Sequence, residues 1–152
     1  PFATGKAKAL KIKSMVSNVY VLIGDGELAE GSNFEAMLFA SHNCLDNLIL
    51  LIDYNNLQSL TTVDKTLNIE PIESKFLAFG WDVFCVDGHN HQQIEDNLKI
   101  AKNKKNLKPK VIIAKTIKGF GVSYMENKVE WHYKSLNNDE LKKAFREIIY
   151  AE

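Results

Sequence analysis

Apolar residues gather in four short runs, bounded by Asn18 and Gly24, Leu48 and Ile52, Asp82 and Asp87, and Lys110 and Ala114. The second is apolar at every position, the pattern of a central strand covered on both faces. Between the runs, apolar residues fall at helical spacing. Ser32 with Glu35 three residues on is a capping-box pattern, leading a stripe of Phe34, Met37, Leu38 and Leu45 that the small Ser41 lets lie close to a sheet. Pro71 opens a helix carrying Ile72, Phe76, Leu77 and Phe79, and Gly80 stops it. His91 to Lys105 turns Ile94, Leu98 and Ala101 inward, while Asn137 and Glu140 make a second capping box ahead of Leu141, Ala144, Phe145, Ile148 and Ile149. Thr4 to Lys13 reads as a helix rich in Ala and Lys, with Leu10 and Ile12 as its apolar contributions, and Tyr54 to Thr66 reads as a polar loop. Strand and helix alternate four times without internal repeat or linker, which predicts one α/β domain over residues 1–152, a parallel sheet flanked by helices on both faces.

Parallel strands joined by helices place the turns that follow them at one edge of the sheet, where ligands bind in this architecture. Those turns hold Asp25, then Asn55, then Asp87 to His89, then Lys115 to Gly121. Gly24 and Gly26 flank Asp25 and let a ligand approach the main chain closely, which suits a phosphate. A lone carboxylate repels phosphate, so the pairing makes sense with a divalent cation between them, and Mg²⁺ takes one or two protein oxygens beside those of phosphate and water. Gly-Asp-Gly is also an ordinary turn. Asn55, 30 positions after Asp25 and at the end of the next strand, supplies the second element.

Composition narrows the class of partner. Basic and acidic residues number 19 each, giving zero formal charge, which argues against nucleic acid or an anionic membrane. The lysines between Lys99 and Lys110 read as a solvated helix end. Cys44 and Cys85 lie in apolar surroundings without metal-type spacing and read as free, buried thiols of a reducing compartment, hence a cytoplasmic protein. No membrane-length apolar stretch and no signal-like start occur, and a first residue of Pro1 points to a fragment or a processed chain. His42 is placed to bond a terminal carbonyl of its helix.

The order and spacing of several segments carry a family likeness: Gly24-Asp25-Gly26 and Asn55, Phe34-Glu-Ala-Met, Leu45-Asp-Asn-Leu-Ile, Gly80-Trp, Val86-Asp-Gly-His, Lys115-Thr-Ile-Lys-Gly-Phe-Gly and Met125-Glu-Asn-Lys-Val-Glu-Trp-His132. From about Gly5 to its end the chain resembles the first, diphosphate-binding domain of transketolase-type thiamin diphosphate (ThDP) enzymes. The resemblance implies that Asp25, the Asn55 side chain and the Leu57 carbonyl ligate Mg²⁺, or Ca²⁺ or Mn²⁺ in its place. It implies that Gly24 and the Gly26 N–H serve the diphosphate, aided by the helix starting near Ser32, and that His132 faces cofactor and sugar hydroxyls. Glu30 matches a residue at the family's subunit interface, where it supports the catalytic carboxylate of the neighbouring domain. Asp87, Gly88 and His89 look like scaffold, and Lys115 like a solvated lysine.

The implied activity is transfer of a two-carbon ketol unit from a ketose phosphate to an aldose phosphate, as in pentose phosphate metabolism. It requires a pyrimidine-binding domain, supplied by a C-terminal subunit in a dimer or heterotetramer. The family's glycine-rich phosphate stretch and an earlier histidine have no counterpart in this sequence, and Tyr133 stands where a glycine is usual. Two other readings stay open: a non-catalytic binding or assembly module, and a relative such as deoxyxylulose phosphate synthase or a ketoacid dehydrogenase component. The segments from Lys115 to Gly121 and Met125 to His132 are more similar to transketolase.

Overall fold

A computed structural model describes residues 1–149. The chain runs α1 (Phe2–Ile12), β1 (Val19–Gly24), α2 (Asp25–Leu28), α3 (Gly31–His42), β2 (Leu48–Tyr54), α4 (Val63–Thr66), α5 (Ile72–Ala78), β3 (Asp82–Asp87), α6 (His91–Asn103), β4 (Lys110–Lys115), a 3-10 turn (Val129–His132) and α7 (Asn138–Ile149). The strands form one parallel sheet in the order β1-β2-β4-β3, with Gly24 level with Asp53 and Tyr54 level with Lys115. All four expected strands are present, and helices cover both faces, unequally.

Side chains alternate across the pleat. One face carries Leu48, Leu50, Ile52, Val111 and Ile113 and packs against Ala7, Met37, Ile72 and Phe76 of α1, α3 and α5. The other carries Ile49, Ile112 and Val86, covered among the described residues by Ala101, Ile94 and Leu98 of α6. Because α6 lies over β3 and β4, the edge strand β1 keeps Tyr20 and Leu22 exposed on that side, Leu22 at 69%.

Several expectations need correction. The stripe of α3 buries Met37 but leaves Leu38 exposed, and Leu77 of α5 and Leu141, Phe145, Ile148 and Ile149 of α7 are exposed too. Ile12 also faces solvent. The Ser32–Glu35 capping box does not form: α3 starts at Gly31, and the reciprocal bond sits one turn earlier, where Glu27 Oε2 accepts the Gly24 N–H at 3.0 Å. The Asn137–Glu140 box does form, Asn137 Oδ1 accepting from Glu140 N at 2.9 Å and Glu140 Oε2 from Asn137 N at 2.9 Å. At the end of α3 the terminal carbonyl bond comes from Asn43, whose Nδ2 donates to Phe39 O, rather than from exposed His42. Both cysteines are free, but neither is buried: Cys44 is half-buried and Cys85 exposed on edge strand β3. Partial shielding of the sulfur from water and the neighbouring Glu73 carboxylate push the Cys85 thiol up to about 11, so it stays protonated at neutral pH.

Lys110 departs furthest from the expected solvated cluster. It is 0% exposed, and its Nζ donates to the Asp46 carbonyl at 2.8 Å, sealing the amino end of the sheet. Burial lowers the proton affinity of Lys110, while Asp46 opposes that shift. Lys11 reaches the same place from α1, 2.7 Å from Asp46 Oδ1. Burial by itself raises the Asp46 carboxyl, but the Lys11 ammonium, with Lys110 and Lys105 nearby, holds it below the usual aspartate range. This pairing contributes fully above about pH 4, where an unfolded aspartate is ionised. It is lost as the pH falls through the lower folded value. Asp46→Asn is therefore expected to lower the urea midpoint at pH 7 and to flatten its decline below about pH 4; equal slopes in variant and parent would contradict the pairing.

Candidate active site

At the carboxyl edge the ends of β1 and β2 are stitched together by one side chain. Asp25 Oδ2 accepts the N–H groups of Asn55, at 3.1 Å, and Asn56, at 2.7 Å. Both of these bonds fall on the same oxygen, Oδ2. Asn55 Oδ1 accepts the Leu57 N–H at 3.0 Å, an Asx-type turn that fixes the amide. Asn56 takes φ +62, a left-handed conformation that asparagine tolerates, and sends the chain into a loop closed by Gln58 N to Thr61 O and Val63 N to Asn56 O. The Leu57 carbonyl accepts no hydrogen bond among the described residues.

Asp25 is 2% exposed, yet among the described residues no Lys or Arg pairs with it. Burial raises its carboxyl above the ordinary value; the N–H groups of Asn56, Asn55 and Gly26 pull the other way, and the Asp53 carboxylate adds to the rise. The buried Asp25 carboxylate, the Asn55 amide and Leu57 line one cleft and offer hard oxygen donors. The residues fit Mg²⁺, Ca²⁺ or Mn²⁺, which prefer such donors.

These groups open into a cleft of about 530 Å³ that Gly24, Gly26, Glu30, Ser59, Lys118 and His132 also line. Every residue expected at the site thus reaches one cleft: Gly24, Asp25, Gly26, Asn55, Leu57, His132 and Glu30. His132 arrives from the 3-10 turn, its Nε2 3.3 Å from Ser59 Oγ and its Nδ1 3.3 Å from Lys118 Nζ. The neighbouring Trp131 pins that turn by donating Nε1–H to Tyr124 O at 3.0 Å. Tyr133, in the place of a glycine, has φ −124 and an exposed ring, so the path of the loop does not demand glycine. Glu30 is exposed at the start of α3 and makes no capping bond. Lys115 is exposed, 4.0 Å from Glu73, and does not line the cleft.

Two residues of the cleft carry roles that the sequence alone does not assign: Lys118, inside the Lys115-to-Gly121 segment, and Gln58, outside every family-like segment. Lys118 is the one Lys or Arg that lines the cleft among the described residues, and Gln58 packs its side chain 3.5 Å from where a Cβ on Gly26 would stand, with Nε2 buried and without a partner among the described residues. The signal for Lys118 was its place just before Gly119 and Gly121, which take φ +75 and +86 and fold the loop back on itself. At Gly119 a Cβ would lie 2.8 Å from the Met125 carbonyl, so glycine is required there.

Fold and cleft together are those of an α/β thiamine diphosphate-binding domain. More narrowly, the chain belongs to the transketolase family, since residues 5–150 match the family described as transketolase, thiamine diphosphate binding domain. It is 41% identical over 148 residues to an apulose-4-phosphate transketolase subunit of Actinobacillus succinogenes, covering 97% of this chain and 53% of that protein. It is 38% identical over 146 residues to the 6-deoxy-6-sulfo-D-fructose transketolase subunit SqwG of a Clostridium species, covering 96% and 53%. The chain therefore spans about half the length of these relatives. The transketolase structure from Campylobacter jejuni superposes with a TM-score of 0.86 at 33% identity, over 98% of this chain and 24% of that one.

Proposed function

We propose that this chain is the diphosphate- and cation-binding half of a transketolase-type transferase, which moves a two-carbon ketol unit from a ketose phosphate to an aldose phosphate. The observation that carries the reading is the buried Asp25 carboxylate, held by the Asn55 and Asn56 amides beside the Leu57 carbonyl and lacking a counter-charge among the described residues. In this reading Asp25, Asn55 and the Leu57 carbonyl hold Mg²⁺, and Lys118, the Gly26 N–H and Gln58 Nε2 hold the diphosphate. Gly24 keeps the turn free of a side chain. His132 orients sugar hydroxyls and holds or moves a proton at its ring nitrogens, with Ser59 and Lys118 fixing the ring. Bound ThDP supplies the nucleophilic carbon for breaking and remaking the bond beside a ketose carbonyl.

Two of the matched relatives are named as subunits, and the chain spans about half of each. Both facts support a partner subunit or domain that provides the pyrimidine-binding site, with Glu30 at the contact in a dimer or heterotetramer of the cytoplasm. The family membership favours transketolase chemistry over that of deoxyxylulose phosphate synthase or a ketoacid dehydrogenase. Calorimetry provides the test: ThDP is expected to bind with Mg²⁺ and to lose its heat of binding in EDTA. Binding indifferent to EDTA would remove the cation from the site, and absence of ketol transfer in a mixture with the partner subunit would favour a binding module without turnover.

A further inference from the structure

The turn between β3 and α6 stands outside the Asp25 cleft, yet it grips the loop that carries Lys118. Gly88 donates its N–H to the Lys115 carbonyl at 2.8 Å, and a Cβ on Gly88 would lie 2.3 Å from Thr116 Cγ2, so this approach is open only to glycine. The next residue, His89, has its own N–H held by Asp87 Oδ1 at 2.9 Å. Its ring then does two things. Nε2 accepts the Ile117 N–H at 2.8 Å, and the imidazole stacks on Phe120 with centroids 3.8 Å apart and planes 18° from parallel. Ile117 and Phe120 bracket Lys118 and Gly119 in the sequence.

We infer that His89 is a positioning residue of the active site: by accepting the Ile117 amide and stacking on Phe120 it holds the loop that sets Lys118 against His132. The role demands one tautomer. An Nε2 that accepts from an amide carries no proton, so the neutral ring is protonated on Nδ1, and a doubly protonated ring cannot make the bond. A structural histidine packed only for its bulk would have no such requirement. The loop needs an external clamp because two left-handed glycines, Gly119 and Gly121, leave its backbone little intrinsic preference for this path. The consequence of the clamp for cofactor binding rests on the function proposed above; the clamp itself does not.

The test uses the whole chain with ¹⁵N-labelled histidine and amides, without cofactor. In the parent, long-range imidazole spectra at neutral pH are expected to show His89 protonated on Nδ1, and the Ile117 amide to be protected from exchange. His89→Leu, which keeps bulk and loses the acceptor, is expected to speed Ile117 exchange by at least about tenfold and to shift the His132 ring signals, with amides of β2 unchanged. His89→Gln restores an acceptor oxygen and is expected to recover Ile117 protection. An Nε2-protonated His89, or unchanged Ile117 exchange and His132 signals in His89→Leu, would overturn the inference. Failure of His89→Gln to recover protection would overturn the acceptor role. A titration of parent and His89→Leu with ThDP and Mg²⁺ separates the two readings: if the parent binds none while the exchange pattern is as expected, the cofactor assignment falls and the clamp stands.

Discussion

Asp25→Asn is expected to abolish cation-dependent ThDP binding while leaving the cofactor-free fold at least as stable as the parent. The asparagine oxygen can still accept the Asn55 and Asn56 amides, so the stitch between β1 and β2 survives. What disappears is the charge. In the fold that charge is disfavoured, first by burial and also by Asp53, so its removal relieves a cost, one that the proposed cation would offset when bound. If Asp25 holds the cation as proposed, binding loses an anionic metal ligand and should weaken by at least a hundredfold, about 3 kcal/mol. Calorimetry with ThDP and Mg²⁺, paired with thermal melts of the unliganded protein, checks both halves. Affinity within a few-fold of the parent would remove Asp25 from the metal site. A lower melting midpoint would make it a structural acid instead.

Phe76→Ala carries the largest expected effect on stability. Phe76 is 2% exposed beneath the sheet and meets Trp81 edge-on, with ring centroids 5.4 Å apart. Trp81 in turn donates Nε1–H to the Met37 carbonyl at 3.1 Å, so one ring ties α5 to β3 and, through Trp81, to α3. Removing it leaves a cavity bounded by strands and helices that cannot collapse freely, at a cost of about 3–5 kcal/mol. Against a typical domain stability of roughly 5–15 kcal/mol, that is a large share. Urea unfolding measures it. A loss below about 1 kcal/mol would mean that the core closes over the gap.

How much of this could be read from the chain alone follows from what each pattern encodes. The strands were legible because a parallel sheet buried on both faces forces apolar residues at every position, as at Leu48 to Ile52. Asp25 and Asn55 were legible because one strand-helix-strand unit fixes their spacing and their common edge. Exposure was not. Periodicity at Leu38, Leu77 and Phe145 marks a face that could pack without saying whether a layer lies over it. The helix start is hidden in the pattern because the one-turn α2 places a cap at Glu27 before the periodicity at Ser32 begins. The burial of Lys110 is not legible, because a lysine inside a charged run buries its stem once a single carbonyl, that of Asp46, lies within reach. Lys118 lies within the Lys115-to-Gly121 segment, but its place beside His132, like that of Gln58 against Gly26, comes from the meeting of loops distant in sequence, and neither loop announces the other.

The sheet has two unlike ends. Lys110, Asp46 and Lys11 lock the amino end with groups that cannot be exchanged singly without stranding a buried charge or dipole. At the other end, short polar loops hang from strands already fixed from below. Away from Gly88 and Gly119, where a side chain would collide, substitutions in those loops can therefore alter what the cleft accepts without unpinning the strands that present it.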